Sequence, residues 1–232
     1  MIKAQDLSKK YAEVTVLNIP SLEIKTGETI GLVGNNGAGK TTFFNLLLDL
    51  IAPTTGFITS KDINVKKSEA WKKYTAAFID ESFLIGYLTP EEYFYFIGEL
   101  RGLNKADIDL FVARFNDFFN GELLGKKKYL RDLSKGNQKK AGIVGALIGN
   151  PELVILDEPF SNLDPSTQIR LKNIIDSLSK EMNNTVLISS HDLGQVTEVS
   201  DRIIVLEKGE IVKDIQTSEE TLKELQEYFM VE

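Results

Sequence analysis

The chain contains 232 residues, of which 42% are hydrophobic and 26% are charged, and its formal net charge is −7. This composition is typical of a globular protein with a sizeable core, and the acidic balance argues against a nucleic acid as the main partner. The absence of cysteine excludes disulfide bonds and thiolate metal sites. The sequence shows neither a signal peptide nor an apolar run of about 18 residues, so we expect the chain to stay outside the bilayer.

The first part of the chain is rich in short apolar alternations. Residues 2–7, 14–17 and 22–25 have the pattern of antiparallel strands closed by turns. Tyr11 falls in the turn between the first two predicted strands. From the residues alone, its ring is interpreted either as a surface aromatic or as a platform for a nucleobase.

An apolar run at residues 29–33 leads into a segment that matches the P-loop pattern, a Gly, four free positions and Gly-Lys-Ser/Thr. Its glycines allow backbone amides to turn toward a phosphate chain, Lys40 brings a positive charge, and the Thr41 hydroxyl is a ligand for magnesium. The helix predicted after it adds the positive end of its dipole. The segment predicts a nucleoside triphosphate site with the candidate residues Gly34, Asn35, Asn36, Gly37, Ala38, Gly39, Lys40, Thr41 and Thr42.

The next elements alternate between helix and strand before the chain becomes mainly helical. Residues 40–50 are predicted as a helix, residues 56–63 as a β segment and residues 75–79 as a buried strand. Thr89 begins a Thr-Pro-Glu-Glu run, which is a typical helix start. The helical character continues as far as residue 149.

The tetrapeptide Asn104-Lys105-Ala106-Asp107 matches the guanine-binding Asn-Lys-x-Asp pattern of GTPases. We reject that interpretation, because no Asp-x-x-Gly lies between it and the P-loop and no apolar strand precedes it. The residues instead predict the capped start of one amphipathic helix. That helix is expected to end at Asn120-Gly121.

Two apolar segments in the second half, residues 153–156 and 185–189, are predicted as buried strands of a parallel sheet. The first ends in Asp157 and Glu158, and the second is followed by His191, the only histidine. Polar residues at such strand ends lie where open α/β sheets bind ligands. The first carboxylate suits magnesium, and the second suits orienting or deprotonating a water aimed at a γ-phosphate.

Taken in chain order, these motifs resemble those of the ATP-binding-cassette (ABC) ATPases, and the resemblance spans residues 7–209. After the P-loop come the signature, the Walker B strand, a following glutamate, the D-loop and a switch histidine. In this sequence they are Leu133-Ser134-Lys135-Gly136-Asn137, residues 153–157, Glu158, Ser161-Asn162-Leu163-Asp164 and His191. The resemblance implies an α/β P-loop NTPase fold with a mainly parallel core sheet, an N-terminal antiparallel β subdomain and an inserted helical subdomain.

The same resemblance implies a single nucleotide-binding domain over residues 1–232. Its β subdomain and P-loop core would occupy residues 1–79 and 150–215. The helical signature subdomain would occupy about 80–149, and a short C-terminal helix residues 216–232.

The cofactors that the resemblance implies are ATP and Mg²⁺. Tyr11 would stack on adenine, and residues 34–42 would bind the phosphates. The catalytic residues would be Glu158, His191 and Lys40.

Thr41 and Asp157 would hold magnesium. The family usually adds a glutamine after the strand at residues 75–79, where this chain has Asp80 or Glu81. The alignment favours Asp80 as a third metal ligand, with Glu81 as the alternative.

ABC cassettes pair head to tail, so Ser134, Gly136 and Asp164 would face the nucleotide of a second subunit, expected to be an identical chain. Lys135 and Asn137 depart from the common signature and resemble the drug, bacteriocin and ABC-2-type exporter branch.

The resemblance implies the ATP-hydrolysing subunit of an exporter. It would drive a separate membrane permease from the cytoplasmic face through the surface near Asp80 and the helix at residues 94–100. The alternative is a non-transport ABC ATPase of the translation, DNA-repair or Fe–S-assembly type. ABC ATPases of the translation type usually carry a second cassette, and those of the DNA-repair type carry a coiled-coil insertion. This sequence shows neither feature, and no nucleic-acid partner is expected.

Overall fold

The computed structural model describes residues 1–180 and 182–231, which contain ten strands and eight α-helices. The strands are β1 (Ile2–Tyr11), β2 (Val14–Ile24), β3 (Thr29–Val33), β4 (Thr55–Ser60), β5 (Ile63–Asn64), β6 (Thr75–Phe78), β7 (Leu153–Asp157), β8 (Thr185–Ser190), β9 (Arg202–Glu207) and β10 (Glu210–Gln216). The helices are α1 (Lys40–Leu47), α2 (Pro90–Leu100), α3 (Lys105–Ala113), α4 (Asn116–Phe119), α5 (Lys135–Leu147), α6 (Pro165–Lys180), α7 (Leu193–Val199) and α8 (Thr221–Val231).

The core is a six-stranded sheet in the order β10-β9-β3-β8-β7-β6. Strands β6, β7, β8, β3 and β9 are parallel to one another, and β10 is antiparallel to β9. Every residue of β3, β7 and β8 is buried, as expected when helices cover both faces of a parallel sheet. The predicted α/β class with a mainly parallel core sheet is confirmed.

The N-terminal region forms a separate four-stranded antiparallel sheet in the order β2-β1-β4-β5. The prediction of two strands at residues 14–17 and 22–25 is wrong, because β2 runs without interruption through Pro20. Gln5 pairs with Ser21 and Leu7 with Ile19, so the register passes over Asp6 and Pro20. Proline has no N–H to donate, and the strand tolerates it by leaving that one position unpaired.

The helical segment lies between β6 and β7. Its α2 begins with a capping box, in which the Thr89 hydroxyl accepts from the Glu92 amide and the Glu92 carboxylate accepts from the Thr89 amide. The single helix predicted after Asn104 is wrong, because the chain breaks between α3 and α4 at Phe115, whose ψ is 11°. Phe118 and the apolar residues of α3 contribute to the same buried cluster.

Helix α5 joins this segment to the core sheet through close contacts at its glycines. A methyl group added at Gly142 would come within 2.1 Å of the Phe78 ring on β6. One added at Gly145 would come within 2.5 Å of the Tyr93 ring on α2. Apolar residues of the helical segment and of β6, β7 and β8 consequently form one buried cluster.

The C-terminal hairpin and helix close the sheet. The predicted helix start at residue 216 differs from the structure, in which Gln216 ends β10 and α8 begins at Thr221. The Thr221 hydroxyl accepts a hydrogen bond from the Ser218 amide at 2.8 Å in the turn before α8. The predicted last residue of this helix, Glu232, lies outside the described residues. None of the helices within residues 1–180 and 182–231 has the length and apolar character needed to cross a membrane.

Candidate active site at the carboxyl edge of the core sheet

The order β3-β8-β7 brings three predicted segments to one edge of the sheet. The P-loop follows β3, Asp157 ends β7, and His191 follows β8. Within the P-loop, residues 35–37 are exposed, whereas residues 38–40 are buried. Gly39 has φ 111° immediately before α1, and a methyl group at Gly34 would lie 2.2 Å from the Leu206 carbonyl oxygen. Only glycine allows both the backbone angle of Gly39 and the close packing of Gly34.

Lys40 is buried at the start of α1, with 7% of its surface exposed. Its Nζ donates to the carbonyl oxygen of Gly34 at 2.6 Å and to that of Asn35 at 3.4 Å. The same Nζ lies 3.6 Å from Oε1 of Glu158. The P-loop lysine and the carboxylate after β7 therefore form one cluster, as the motif order predicted.

Thr41 and Asp157 are in direct contact, since the Thr41 hydroxyl donates to Oδ2 of Asp157 at 2.6 Å. The Ser189 hydroxyl donates to the other oxygen, Oδ1. Burial raises the pKa of Asp157, and the hydrogen bonds from Ser189 and Thr41 oppose that rise by favouring the charged form. A hydroxyl beside a carboxylate is a donor set suited to magnesium, which completes its coordination with water and substrate phosphates.

Among the described residues, no contact links Asp80 to Thr41 or Asp157. Its carboxylate accepts from the Ser82 amide at 2.7 Å and caps the turn after β6. Hydrogen bonding to Ser82, first through its side chain and then through its amide, lowers the pKa of Asp80. The neighbouring Glu81 is the residue directed inward, because its side chain is only 11% exposed and faces two lysines of α5.

Glu158 carries the most constrained backbone in the cluster. Its φ is 46°, in the left-handed region that residues with a Cβ rarely adopt. Its amide donates to the Ser189 hydroxyl at 2.9 Å, and its carboxylate oxygen Oε2 lies 2.8 Å from Nδ1 of His191. Glu158 thus touches both the P-loop lysine and the only histidine of the chain.

Ser189 is a site residue that the sequence analysis missed, although it bridges the Asp157 carboxylate and the Glu158 amide. It pairs in register with Asp157 across β7 and β8. Matching the predicted ends of those two strands would have indicated it.

The signature residues lie elsewhere in the chain. Ser134 is the N-cap of α5, where its hydroxyl accepts from the Asn137 amide at 3.3 Å. Gly136 packs on the D-loop so closely that a methyl group there would lie 2.7 Å from the Asn162 carbonyl oxygen. The described residues include no contact between either residue and the P-loop.

The two remaining predicted nucleotide contacts are both exposed. Asp164 caps α6 by accepting from the Thr167 amide at 3.0 Å and from the hydroxyls of Ser166 and Thr167, and these bonds hold its pKa far below its usual range. Tyr11 ends β1 with 52% of its surface exposed, and the Lys9 ammonium lies 4.8 Å from the centre of its ring.

Comparison with known proteins supports the ABC resemblance along most of the chain. The family model described as ABC transporter matches residues 17–161. An uncharacterized ABC transporter ATP-binding protein of Methanocaldococcus jannaschii is 36% identical over 224 residues, which cover 91% of this chain and 76% of the relative. The bacitracin transport ATP-binding protein BcrA of Enterococcus faecalis is 32% identical, over 94% of this chain and 70% of its own length.

The ABC transporter ATP-binding protein NatA of Bacillus subtilis is 31% identical, over 91% of this chain and 88% of the relative. Among solved structures, an ATP-binding subunit of an ABC transporter superposes with a TM-score of 0.84 at 26% identity, covering 99% of this chain and 93% of that one. A dimeric cassette bound to ADP and Pi superposes with a TM-score of 0.82 at 24% identity, over 94% and 99% of the two chains. That last likeness concerns the fold.

Proposed function

Because this chain belongs to the ABC transporter family of ATP-binding proteins, we propose that Lys40, Asp157, Glu158 and His191 form the hydrolytic half of its ATPase site. The protein is an ATP-hydrolysing cassette. The observation that carries the residue assignment is the contact of Glu158 with both Lys40 and His191, directly beside the Asp157–Thr41 pair.

The P-loop residues 34–42 bind the triphosphate, with Lys40 placing its charge on the terminal phosphates. Tyr11 stacks on adenine, which its exposed position at the end of β1 supports. Thr41 and Asp157 would hold magnesium, which would offset the negative charge of the phosphates.

Glu158 accepts the proton of the attacking water, or orients that water, and His191 fixes the carboxylate through its Nδ1. The contact at 2.8 Å between the two side chains supports this assignment. On transfer, the water oxygen bonds to the γ-phosphorus, the bond to the β-phosphate oxygen breaks, and ADP and phosphate leave.

A second copy of the chain completes the site. Ser134, Gly136 and Asp164 would face the nucleotide held by the partner's P-loop. The separation of Ser134 and Gly136 from the P-loop of their own chain supports that pairing. The amides at the start of α5 suit an anion brought by the partner.

The cassette drives a separate membrane permease of an exporter, at the cytoplasmic face of the membrane. The bacitracin transport relative supports a role in transport. The docking surface would lie on the turn after β6 and on α2. Large apolar side chains are exposed on both, among them Phe83 and Tyr87 on the turn and Phe96 and Leu100 on α2.

The test is magnesium-dependent ATP hydrolysis by the purified chain and by Glu158→Gln, with dimerisation followed by light scattering in ATP. We expect the variant to lose at least about 100-fold in kcat, since a missing general base typically costs 10²–10⁴-fold, and to accumulate as an ATP-bound dimer. Glu152→Gln is the control, because Glu152 pairs with Lys61 on the surface at the start of β7. Wild-type turnover in Glu158→Gln would overturn the assignment.

A further inference from the structure

Lys139 on α5 is a buried cation directed at the back of the hydrolytic cluster. Only 4% of its surface is exposed. Its Nζ donates to the Glu158 carbonyl oxygen at 2.8 Å and to the Ser161 hydroxyl at 2.5 Å, and lies 3.7 Å from Oε1 of Glu81. A buried ammonium is costly unless all its donors are satisfied. Two hydrogen bonds and the nearby Glu81 carboxylate offset that cost for Lys139.

These partners include the carbonyl of Glu158, whose backbone lies in the left-handed region. Glu158 has a φ of 46°, which a residue with a Cβ keeps only when its surroundings fix it. Its amide is held by Ser189 at 2.9 Å, and its carbonyl by Lys139 and by the Ser161 hydroxyl at 2.9 Å. Lys139 thus restrains the peptide that determines where the Glu158 carboxylate points.

The third partner connects this restraint to the turn after β6. Glu81 faces Lys139 with one carboxylate oxygen and lies 3.9 Å from the Lys135 ammonium with the other. Burial lowers the pKa of Lys139, and the neighbouring carboxylates of Glu81 and Glu158 oppose that change. One buried side chain therefore links the turns that follow β6 and β7 to the helix that begins at the signature.

We propose that Lys139 is a positioning residue for ATP hydrolysis, which holds the Glu158 backbone, the Ser161 hydroxyl and Glu81 in one arrangement and so keeps the Glu158 carboxylate aimed at the attacking water. The proposal rests on the proposed role of Glu158. It gives Glu81 the function of offsetting the charge of buried Lys139, in place of the metal-ligand role considered for that position.

The chain offers a matched control on the same helix. Lys140 is 2% exposed and pairs with Glu122 at 2.8 Å. Lys139→Met and Lys140→Met remove the same charge from equally buried positions. A merely structural role for Lys139 would give the two variants the same kinetic profile.

The first readout is steady-state ATP hydrolysis by the full chain. Lys139→Met is expected to lower kcat at least about tenfold with the KM for ATP within about twofold of wild type, because it misplaces a catalytic group without touching nucleotide. Lys139→Arg recovers part of the loss, since it keeps the charge and the donors. In a Glu158→Gln background, Lys139→Met causes no further loss, because both changes act through one group.

The second readout is amide hydrogen exchange in the peptides that cover residues 157–164, which needs no turnover. Exchange there is expected to be faster in Lys139→Met and in Glu81→Gln than in wild type, and unchanged in Lys140→Met. Unchanged exchange in Lys139→Met, or a kcat equal to that of Lys140→Met, would overturn the proposal. Wild-type turnover in Glu158→Gln would instead overturn the proposed function, and the catalytic part of the role of Lys139 would fall with it.

Discussion

The ammonium of Lys40 lies 3.6 Å from the carboxylate of Glu158, so the residue proposed to receive the phosphates pairs with the residue proposed to activate water. Lys40 also donates to the Gly34 carbonyl within the P-loop. Any triphosphate that enters the loop must compete with a carboxylate for this lysine. ATP binding and the release of Glu158 are therefore coupled through one ion pair.

Removing the charge of Glu158 should strengthen ATP binding in addition to blocking hydrolysis. We expect Glu158→Gln to bind ATP up to about fivefold more tightly than wild type, because a partly exposed ion pair is worth about 1 kcal/mol or less. Calorimetry with magnesium-free ATP separates binding from turnover. Glu152→Gln, which breaks a surface pair, should bind as wild type does, and weaker binding by Glu158→Gln would contradict the competition.

His191→Ala should lower kcat by about 10–100-fold with little change in the KM for ATP, because the contact with Glu158 orients a catalytic group. His191→Asn keeps a donor and should retain an intermediate rate. Since His191 is the only histidine, its ring resonances are assigned directly in an NMR spectrum. They should shift when ATP is added to Glu158→Gln, and an unmoved signal would argue against a place for His191 in the nucleotide site.

Asp157→Asn should raise the magnesium concentration needed for half-maximal hydrolysis by at least about tenfold, because a neutral amide is a weaker ligand for a hard cation than a carboxylate. The measurement is a titration of ATPase activity with magnesium at fixed ATP. Asp109→Asn is a suitable control, since Asp109 accepts from the Tyr95 hydroxyl in the helical segment. An unchanged magnesium requirement would remove Asp157 from the metal site.

Gly136→Ala tests the signature without touching the P-loop. The added methyl group would lie 2.7 Å from the Asn162 carbonyl oxygen, which forces the signature away from the D-loop. We expect the variant to bind ATP normally but, combined with Glu158→Gln, to fail to form the ATP-bound dimer in light scattering. Gly194→Ala on α7, where a methyl group meets nothing closer than 3.4 Å, should dimerise normally.

Gly142→Ala should destabilise the fold by about 1–3 kcal/mol, because overpacking of a filled core forces neighbouring groups to move. The new methyl group would approach the buried Phe78 ring to 2.1 Å. Denaturant unfolding measures the change. Gly194→Ala should be neutral or slightly stabilising, as alanine favours helix over glycine, and equal stabilities of the two variants would contradict the packing described for α5.

The fully apolar strands could be predicted from sequence because burial on both faces leaves a simple signal. Residues 153–156 and 185–189 were assigned almost to their ends. The P-loop and its lysine were also predictable, since local spacing determines them. Features that depend on pairing between distant segments were not predictable. Strand β2 continues through Pro20 because Asp6, the residue opposite Pro20 on β1, is left unpaired.

Side-chain direction was the least predictable property of the site. Asp80 and Glu81 are adjacent acids, and only the turn after β6 determines that Asp80 caps Ser82 while Glu81 faces α5. The burial of Lys139 could not be predicted from the sequence, because a lysine beside other polar residues is usually exposed. Its partners Glu81, Glu158 and Ser161 come from other segments and meet it only in the folded chain.

The left-handed backbone at Glu158 sets the backbone preference at that position against the need for a carboxylate. Glycine or asparagine would adopt this conformation more easily, so a glutamate there trades some folding stability for activity. In a lineage where one cassette of a pair no longer needs to hydrolyse ATP, this codon should be among the first to drift, and it should drift toward glycine or asparagine. The residue at position 158 therefore indicates whether a cassette of this type is still under selection for ATP hydrolysis.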